Sequence, residues 1–493
     1  MTDIAGDSGP GPRPPSHEDL EKLFQQAAHL AAGHMNGLAD RPVFQQMSPD
    51  ERAAILDAPL PASGLPTGDI FAFAERHILS RPFGNGHSRF MAWANSPPQP
   101  VGVAADMLAS AMNPSCAGGD HAAIYLEHTA TRWLLELTGM DGSGTFGLLT
   151  SGGSMATLTG LAAARHAAAR RDGVDIRRDG LYATQRYTAY ASDQAHSSVE
   201  KALELLGLGH RSLRKLPVDR DFRIDPAALE SAVAADRAEG CRPFCVIGNA
   251  GTVNTGAIDD LDALATFCED EDLWFHVDGA IGAASALDPR VSPQLSHMAR
   301  ADSVAFDPHK CLGVPVECGA ILVRDGEQLR DAFSLVPPYL RTTPGVGIGG
   351  PPWFSEYGFQ QTRGFRAFKL WATLAHLGRD GAGALVQHQN SLARELASLI
   401  DEHPALEPMA PVELSIACFR YRPDGVAARD LALDACNRAI VDRLQSEGRV
   451  FVTGTELHGR FAIRAATLHP GTTGSDLQVL VDEVTRVGAE QIG

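Results

Sequence analysis

The chain has 493 residues, of which 44% are hydrophobic and 21% are charged, a balance typical of a soluble globular protein rather than a disordered or fibrous one. At this length we expect two or three domains with a large shared core. The formal net charge of −18 argues against nucleic acid as a partner, because neutralising phosphates needs a basic surface.

Targeting and metal-binding signals are absent from the sequence. No apolar run approaches the roughly 20 residues that a membrane span requires, and the N-terminus lacks the basic and apolar segments of a secretory signal. The eight cysteines are scattered, with no CxxC pair and no His–Cys cluster at zinc spacing, so we expect reduced thiols and no metal site. We therefore predict a cytoplasmic protein without a membrane partner.

The first 95 residues contain no strand pattern. Residues 1–15 are rich in Gly and Pro and are predicted to be a disordered tail. Ser16, with Asp19 three residues later, resembles a capping box that opens a helix from about His17 to Gly33. Helical pieces broken by Pro follow, and we predict that residues 16–95 form a helical N-terminal arm.

The next segment, residues 96–365, alternates helical stretches with short apolar runs. These runs are predicted strands, at 144–149, 187–192, 244–250, 273–278, 303–307 and 319–325. Continuous apolar strands separated by helices predict an α/β domain, with a mostly parallel central sheet covered by helices on both faces.

A Gly- and Pro-rich irregular segment at 339–362 precedes a smaller C-terminal α/β domain, predicted for residues 366–493. The pattern there predicts a helix at 364–401, a strand at 413–420, a helix at 427–446, strands near 449–453 and 459–465, and a helix at 474–490.

Distinctive polar motifs follow several of the predicted strands, where open α/β sheets collect their ligands. One is the run Ser303–Lys310, an apolar strand that leads into Asp-Pro-His-Lys. The chain has only 5 lysines against 37 arginines, since Lys and Arg together number 42. Schiff-base chemistry needs an amine that can lose its proton, which lysine can do and arginine cannot. A surface lysine on a loop is the alternative.

Two further motifs have the same strand-end setting. Asp278 ends the apolar run LWFHVD, where a carboxylate needs a partner such as a protonated pyridine nitrogen; the alternative is a helix cap. The turn TSGGS, ending at Ser154, opens a helix whose N–H groups can bind a phosphate, although a plain strand–helix connection has the same pattern.

His196 lies in SDQAHSSVEKA, at the start of another helix after another strand. An imidazole there can stack on an aromatic cofactor and exchange protons with a substrate. Alternatively, its neighbours could satisfy it as an ordinary residue of the helix start. Together the four motifs supply a lysine, an acid, a phosphate site and a stacking base, and that combination is far more specific than any one of them.

The order of TSGGSMATL, SDQAHSSVEKA, NAGTVNTGAIDDL, WFHVDGAIGAA and FDPHK resembles the group II decarboxylases that depend on pyridoxal phosphate (PLP), the aromatic-L-amino-acid and glutamate decarboxylase family. The resemblance extends from about His87 through the C-terminal module. It implies the PLP-dependent transferase fold of type I and a homodimer with active sites at the interface.

The resemblance also implies roles for individual residues around PLP. Lys310 would hold the cofactor as a Schiff base, Asp278 would bind its pyridine nitrogen, and His196 would stack over its ring. Further cofactor contacts are implied for Gly153, Ser154, Thr252, Ala280, Asp307 and His309.

Around the amino-acid substrate, the resemblance implies that Trp93, Ser96 and Phe354 line the pocket and that Arg460 binds the carboxylate. Tyr357 is the candidate for the loop tyrosine that returns a proton after loss of CO₂. Departures from the family pattern, such as Cys311 after the lysine, leave the side-chain preference open, with an aromatic or small neutral amino acid favoured.

The expected reaction is decarboxylation of an L-amino acid to the amine. Three alternatives remain open at this point: an aldehyde synthase that couples decarboxylation to oxidative deamination, another fold-type I lyase or aminotransferase, and a catalytically idle homologue that serves as a scaffold. Simultaneous presence of the lysine, the aspartate and the histidine argues against the scaffold.

Overall fold

A computed structural model describes residues 16–84, 86–336, 349–351, 353–423 and 430–492. The predicted disordered tail, residues 1–15, lies outside these ranges. Within them, no helix is both long and apolar enough to cross a bilayer. The expected cytoplasmic location stays a prediction.

The N-terminal region is helical, as predicted. Its helices are α1 (His17–Asn36), α2 (Pro49–Leu56) and α3 (Thr67–Phe73), the last continued by a π-helical turn, Ala74–Leu79. Ser16 and Asp19 form the predicted capping box, in which the Ser16 side chain accepts the backbone N–H of Asp19 and the Asp19 carboxylate accepts that of Ser16. These helices contain no buried residue.

A seven-stranded sheet forms the centre of the large domain. Its strands are β1 (Phe146–Thr150), β2 (Tyr187–Ser192), β3 (Leu213–Leu216), β4 (Arg242–Asn249), β5 (Trp274–Asp278), β6 (Ser303–Phe306) and β7 (Gly319–Val323). Their order is β1-β7-β6-β5-β4-β2-β3, and only β7 runs antiparallel to its neighbours. The prediction of a mostly parallel sheet is confirmed.

The helices of this domain are α4 (Pro100–Met112), α5 (Ala122–Thr138), α6 (Gly153–Arg171), α7 (Ile176–Asp179), α8 (Ser198–Leu205), α9 (Pro226–Ala238), α10 (Leu261–Asp270), α11 (Gly282–Ser285), α12 (Ser292–Leu295), α13 (Pro308–Cys311) and α14 (Gly326–Phe333). Helices cover both faces of the sheet. His276 and Phe275 are successive residues of β5, so their side chains point to opposite faces. Gly160 of α6 packs against His276, whereas α10 packs on the side of Phe275.

The C-terminal domain contains a four-stranded antiparallel sheet and three helices. These elements are α15 (Arg366–Glu402), β8 (Leu406–Pro408), β9 (Ile416–Tyr421), α16 (Asp430–Glu447), β10 (Thr453–Leu457), β11 (Arg460–Ala466) and α17 (Gly474–Ile492), with strand order β10-β11-β9-β8. The predicted element types are confirmed. Residues 424–429, where the helix predicted at 427–446 would start, lie outside the described ranges.

Three elements differ from expectation. The sequence analysis missed β3 and β8, and it placed β10 about four residues too early. Strand β3 reads Leu-Arg-Lys-Leu at a sheet edge, where Lys215 is exposed and Arg214 pairs with Asp236, so no apolar run forms. Strand β8 has only three residues, too few for a periodic pattern. The domain boundaries at 95/96 and 365/366 stay predictions.

Candidate active site

Lys310 lies just beyond the carboxyl end of β6, in the single turn α13. Its Nζ is 3.1 Å from Oδ2 of Asp307, a carboxylate that is 3% exposed. The other oxygen of Asp307, Oδ1, is buried and has no hydrogen-bond partner among the described residues. The His309 ring contacts the Cys318 carbonyl oxygen through Nδ1 at 2.7 Å, which leaves Nε2 unpaired within those residues. A reactive amine therefore stands beside two polar groups with unused bonding capacity.

Asp278 ends β5 in the centre of the sheet and is 8% exposed. Its Oδ1 accepts the backbone N–H of Ala280 at 3.1 Å, which orients the carboxylate toward the same sheet edge as Lys310. No cationic side chain in the described residues forms an ion pair with it. A partly buried carboxylate in this state favours a cationic ligand group, such as a protonated pyridine nitrogen.

His276 lies two residues before Asp278 on β5, so the two side chains share one face of the sheet. The Trp274 indole N–H donates to Ser303 Oγ at 2.8 Å, and His276 Nδ1 lies 2.8 Å from that oxygen. Either Nδ1 or Ser303 Oγ can be the donor in this contact, and the buried His276 Nε2 has no hydrogen-bond partner among the described residues. Complete burial lowers the pKa of His276 to about 4, although the Asp278 charge opposes the shift.

The turn between β1 and α6 packs tightly against the lysine loop. A Cβ added to Gly153 would lie 2.7 Å from Asp307 Oδ2, and one added to Gly319 would lie 2.4 Å from the Gly152 Cα. Within the described residues, the N–H groups of Gly153 and Ser154 donate to no backbone acceptor. They point out of the first turn of a 19-residue helix, where anions are stabilised.

His196 begins the turn before α8 and is held in one tautomer. The Ser198 backbone N–H donates to His196 Nδ1 at 3.1 Å, and Ser198 Oγ is 2.8 Å from the same nitrogen. Nδ1 is therefore an acceptor, and the neutral ring carries its hydrogen on Nε2. Burial lowers the pKa of His196, with the Asp278 charge acting in the opposite direction. The ring can donate one hydrogen bond or one proton through Nε2.

One cavity of about 350 Å³ joins these groups. Eight of the predicted cofactor residues line it: Gly153, Ser154, His196, Asp278, Ala280, Asp307, His309 and Lys310. Thr252 is fully buried beside the cavity, between the lining residues Gly251 and Val253. Its hydroxyl turns inward, with Oγ1 2.8 Å from Thr255 Oγ1.

The donors and acceptors in this cavity fit PLP. The free N–H groups of Gly153 and Ser154, with His309, can hold the phosphate, and Asp278 can hold the ring nitrogen. Among the described residues that line the cavity, Lys310 alone has an amine. The side of Gly153 that faces Asp307 has no room even for a methyl group, so the backbone itself forms that wall.

The predicted substrate residues are more dispersed. Trp93 is 46% exposed and packs edge-to-face on Phe83, with ring centroids 4.9 Å apart. Ser96 is 5% exposed, and its backbone N–H donates to the Lys310 carbonyl at 3.0 Å. The Ser96 hydroxyl donates to the Leu468 carbonyl at 2.9 Å, so it is engaged by protein groups.

Phe354 and Tyr357 are not at this cavity within the chain. Phe354 is fully buried beside His128, and the Tyr357 ring stacks on Phe146 with centroids 4.0 Å apart. Phe146 is the first residue of β1, whereas the cavity turn between β1 and α6 follows the last residue of that strand. Burial raises the pKa of Tyr357. Tyr339, the other tyrosine of the irregular segment, lies outside the described residues.

Two arginines of β11 differ sharply in environment. Arg460 is at the hairpin end, with its side chain 38% exposed and Nη1 3.9 Å from Glu407 Oε1. Arg464, four residues later on the same face, is 7% exposed and donates to the backbone oxygens of Val253 at 3.0 Å and Ala92 at 2.7 Å. Val253 lines the Lys310 cavity, whereas none of Arg460's contacts in the described residues involves it.

Sequence reasoning singled out Arg460 and not Arg464. No carboxylate among the described residues pairs with Arg464, and its Nη2 makes no hydrogen bond with them. Burial lowers its pKa below the usual value for arginine. Both arginines lie in the motif Gly-Arg-Phe-Ala-Ile-Arg, so the motif could have drawn attention to either, and only the burial distinguishes them.

The geometry defines an α/β enzyme of fold type I in which a lysine amine, two carboxylates and a helix N-terminus meet in one cavity. Over residues 49–422, the sequence matches the family described as "Pyridoxal-dependent decarboxylase conserved domain". The chain belongs to this family of group II decarboxylases, and it is a carboxy-lyase that depends on PLP.

Individual relatives agree with this assignment. The chain is 33% identical over 477 residues to an aromatic-L-amino-acid decarboxylase of Bacillus atrophaeus, with 96% of each chain covered. It is 29% identical over 418 residues to an L-2,4-diaminobutyrate decarboxylase of Acinetobacter baumannii, covering 83% of this chain and 81% of that one. The solved Oryza sativa TDC with PLP and tryptamine superposes with a TM-score of 0.90 at 25% identity, covering 98% and 100% of the two chains.

Proposed function

We propose that the enzyme decarboxylates an aromatic L-amino acid to the amine, using Lys310 to bind the cofactor covalently. The observation that carries this proposal is that Lys310, Asp278 and His196 line one cavity with the free helix N-terminus at Gly153. Trp93, whose exposed ring belongs to an aromatic group that includes Phe83, supports an aromatic side chain, as does the similarity to the Bacillus atrophaeus enzyme.

The roles follow from the bonding capacity of each group. Bound PLP supplies an electron sink for the pair of electrons left when the bond from Cα to the carboxylate breaks. Asp278 keeps the ring nitrogen protonated, which strengthens that sink. His196 lines the cavity and carries its hydrogen on Nε2, and we assign to it the return of a proton to Cα.

We assign binding of the substrate carboxylate to Arg464 rather than Arg460. Arg464 is the buried arginine with a free Nη2 beside a residue of the cavity wall, and a guanidinium without a carboxylate partner favours an incoming anion. Arg464→Gln should raise KM by about ten-fold or more, since a charge-assisted bond is lost. Arg460→Gln, the matched change on the same strand face, should leave KM unchanged. The reverse result would restore the assignment to Arg460.

The decisive experiment compares Lys310→Ala with Lys201→Ala. Lys201 is an exposed lysine on helix α8. Each protein is supplied with PLP and with tryptophan, tyrosine, dopa, alanine, 2,4-diaminobutyrate and glutamate, and CO₂ and amine are measured. We expect release from the aromatic substrates, loss of it in Lys310→Ala and full activity in Lys201→Ala. Normal turnover by Lys310→Ala, or turnover restricted to the charged substrates, would refute the proposal.

Aldehyde formation is the second candidate. The Rhodiola rosea 4-hydroxyphenylacetaldehyde synthase has the same fold, with a TM-score of 0.84 at 21% identity. In the described residues, Tyr357 lies against Phe146 rather than at the cavity, which removes one proton donor expected for amine formation. The same assays, with aldehyde and peroxide also measured, distinguish the two products.

We also propose that two copies of the chain associate through the N-terminal arm. The helices of the arm bury no residue, and Leu56 and Ile70 are 79% and 50% exposed. Apolar surface of this kind needs a covering partner, and a second copy is the partner that the family resemblance implies. Sedimentation of wild type and of Ile70→Glu tests this, and a fully active monomer would contradict it.

A further inference from the structure

Gln389 is a fully buried polar residue in the middle of α15, and no motif singles it out. Its side-chain Nε2 lies within hydrogen-bond distance of three oxygens: 3.1 Å from Ser96 Oγ, 3.0 Å from the Cys311 carbonyl and 2.9 Å from the Leu468 carbonyl. These acceptors belong to three segments far apart in sequence. One amide group therefore joins the segment before α4, the lysine loop and the end of β11.

The Lys310 backbone is at the centre of this arrangement. The Lys310 carbonyl accepts the N–H of Ser96 at 3.0 Å, and the next carbonyl, that of Cys311, accepts Gln389 Nε2. Both peptide oxygens that follow the reactive lysine are thus fixed, one directly by Ser96 and one by Gln389. Because Gln389 also donates to the Ser96 hydroxyl, a change at Gln389 affects both attachments.

The orientation of the Gln389 amide is determined by its neighbours. Exchanging its nitrogen and oxygen would place Oε1 against two carbonyl oxygens, which is repulsive. In the observed orientation Oε1 is buried and has no partner among the described residues. Such an unpaired acceptor costs about 1–3 kcal/mol. An apolar side chain would avoid that cost. The physical advantage of glutamine at this position is therefore the pair of N–H donors on its side chain.

We propose that Gln389 is a positioning residue that holds the Lys310 backbone in register with the Ser96 segment, so that the lysine amine meets the cofactor at bonding distance. This rests on the proposed role of Lys310. When Lys310 binds the cofactor covalently, the amine nitrogen bonds the aldehyde carbon of the cofactor and the aldehyde oxygen leaves as water. The amine reaches the aldehyde from a fixed backbone, and a displacement of about 1 Å is enough to slow such a step by a large factor.

Asn390 provides a matched control. It is the next residue of the helix, is 1% exposed, and also carries an amide whose oxygen has no partner in the described residues. Its Nδ2 donates at 3.0 Å to Asp288, away from the lysine loop. Asn390→Leu and Gln389→Leu therefore remove the same kind of buried amide from the same helix, and only the second disturbs the Lys310 backbone.

The experiment adds PLP to cofactor-free full-length enzyme and follows the absorbance of the lysine-bound cofactor, together with Tm, kcat and KM. We expect Gln389→Leu to slow covalent capture and lower kcat by about ten-fold or more, with KM nearly unchanged. Asn390→Leu should lower Tm by a similar amount and leave capture unchanged. Capture by Gln389→Leu at the wild-type rate would overturn the proposal.

A second variant keeps the test decisive if Gln389→Leu does not fold. In Gln389→Glu the side chain regains a donor only when it is protonated, so capture relative to wild type should rise as the pH falls. A merely structural role predicts no such profile, and a flat ratio would refute the inference. If Lys310→Ala captured cofactor normally, the proposed function itself would fail. If Lys310→Ala lost capture while the Gln389 variants kept it, the inference about Gln389 would fail and the proposed function would stand.

Discussion

Burial of neutral His276 should make the native enzyme less stable in mild acid, because the unfolded chain takes up a proton at this residue and the native state does not. Because complete burial lowers its pKa from 6.5 to about 4, the native state binds fewer protons than the unfolded chain between these values. Stability from this group is therefore complete above about pH 6.5 and is lost as the pH falls toward 4. At about 1.4 kcal/mol per unit, the loss is about 2 kcal/mol at pH 5 and about 3.4 kcal/mol in total.

The measurement compares wild type with His276→Gln, which keeps a polar contact for Ser303 but does not titrate. Urea unfolding with saturating cofactor, repeated between pH 7 and pH 4, gives the difference in unfolding free energy as a function of pH. The other buried histidines titrate in both proteins and cancel in this difference. A difference that stays constant below pH 6.5 would show that burial does not hold His276 neutral.

Three further changes test other parts of the site. Glu127→Gln should cost about 3–5 kcal/mol of unfolding free energy, because it leaves the buried Arg363 without its carboxylate partner. Gly153→Ala should weaken PLP binding, measured by fluorescence titration, because the new methyl group would lie 2.7 Å from Asp307 Oδ2. Tyr357→Phe should leave the ratio of amine to aldehyde unchanged, because its ring is stacked away from the cavity.

Each of these has a control in the chain. Glu136→Gln breaks an exposed ion pair with Arg132 and should change stability by less than about 1 kcal/mol. Gly33→Ala adds a methyl group with nothing within 4 Å and should leave cofactor binding intact. Equal losses in the paired variants would contradict the first two predictions. A rise in aldehyde from Tyr357→Phe would show that Tyr357 takes part in the reaction. Tyr339→Phe, which changes the other tyrosine of the irregular segment, is assayed beside it.

Much of the fold is visible in the sequence because its strands are buried on both faces. Strand β2, predicted at 187–192, occurs at Tyr187–Ser192, and all six residues are buried. The same continuous apolar pattern marked β5 and β6, and the polar residues after them became the cavity. Where exposure interrupts the pattern, as in β3, local reasoning failed.

Two residues to which we assign roles, Gln389 and Arg464, were not singled out by the sequence, because each is a buried polar group whose partners are distant in sequence. Gln389 lies on a helix among apolar residues, and nothing nearby indicates that its amide meets a loop some 78 residues away. Arg464 and Arg460 share one motif, and only the packing of Val253 and Ala92 separates their environments. Short-range patterns encode periodicity and turns, whereas satisfaction of a buried donor is settled by tertiary contacts.

The reversed strand β7 has a consequence for biosynthesis. In the described sheet, β1 is an edge strand whose one neighbour is β7, so Thr150 pairs with Gly319, a residue 169 positions later. At about 5–20 residues per second, a ribosome needs roughly 8–34 s to make that stretch. During this time β1 has no neighbouring strand to pair with, and the turn between β1 and α6 lacks Gly319, which packs against Gly152 in the folded protein. The cavity for the vitamin-derived cofactor therefore cannot be completed until about two thirds of the chain has been made.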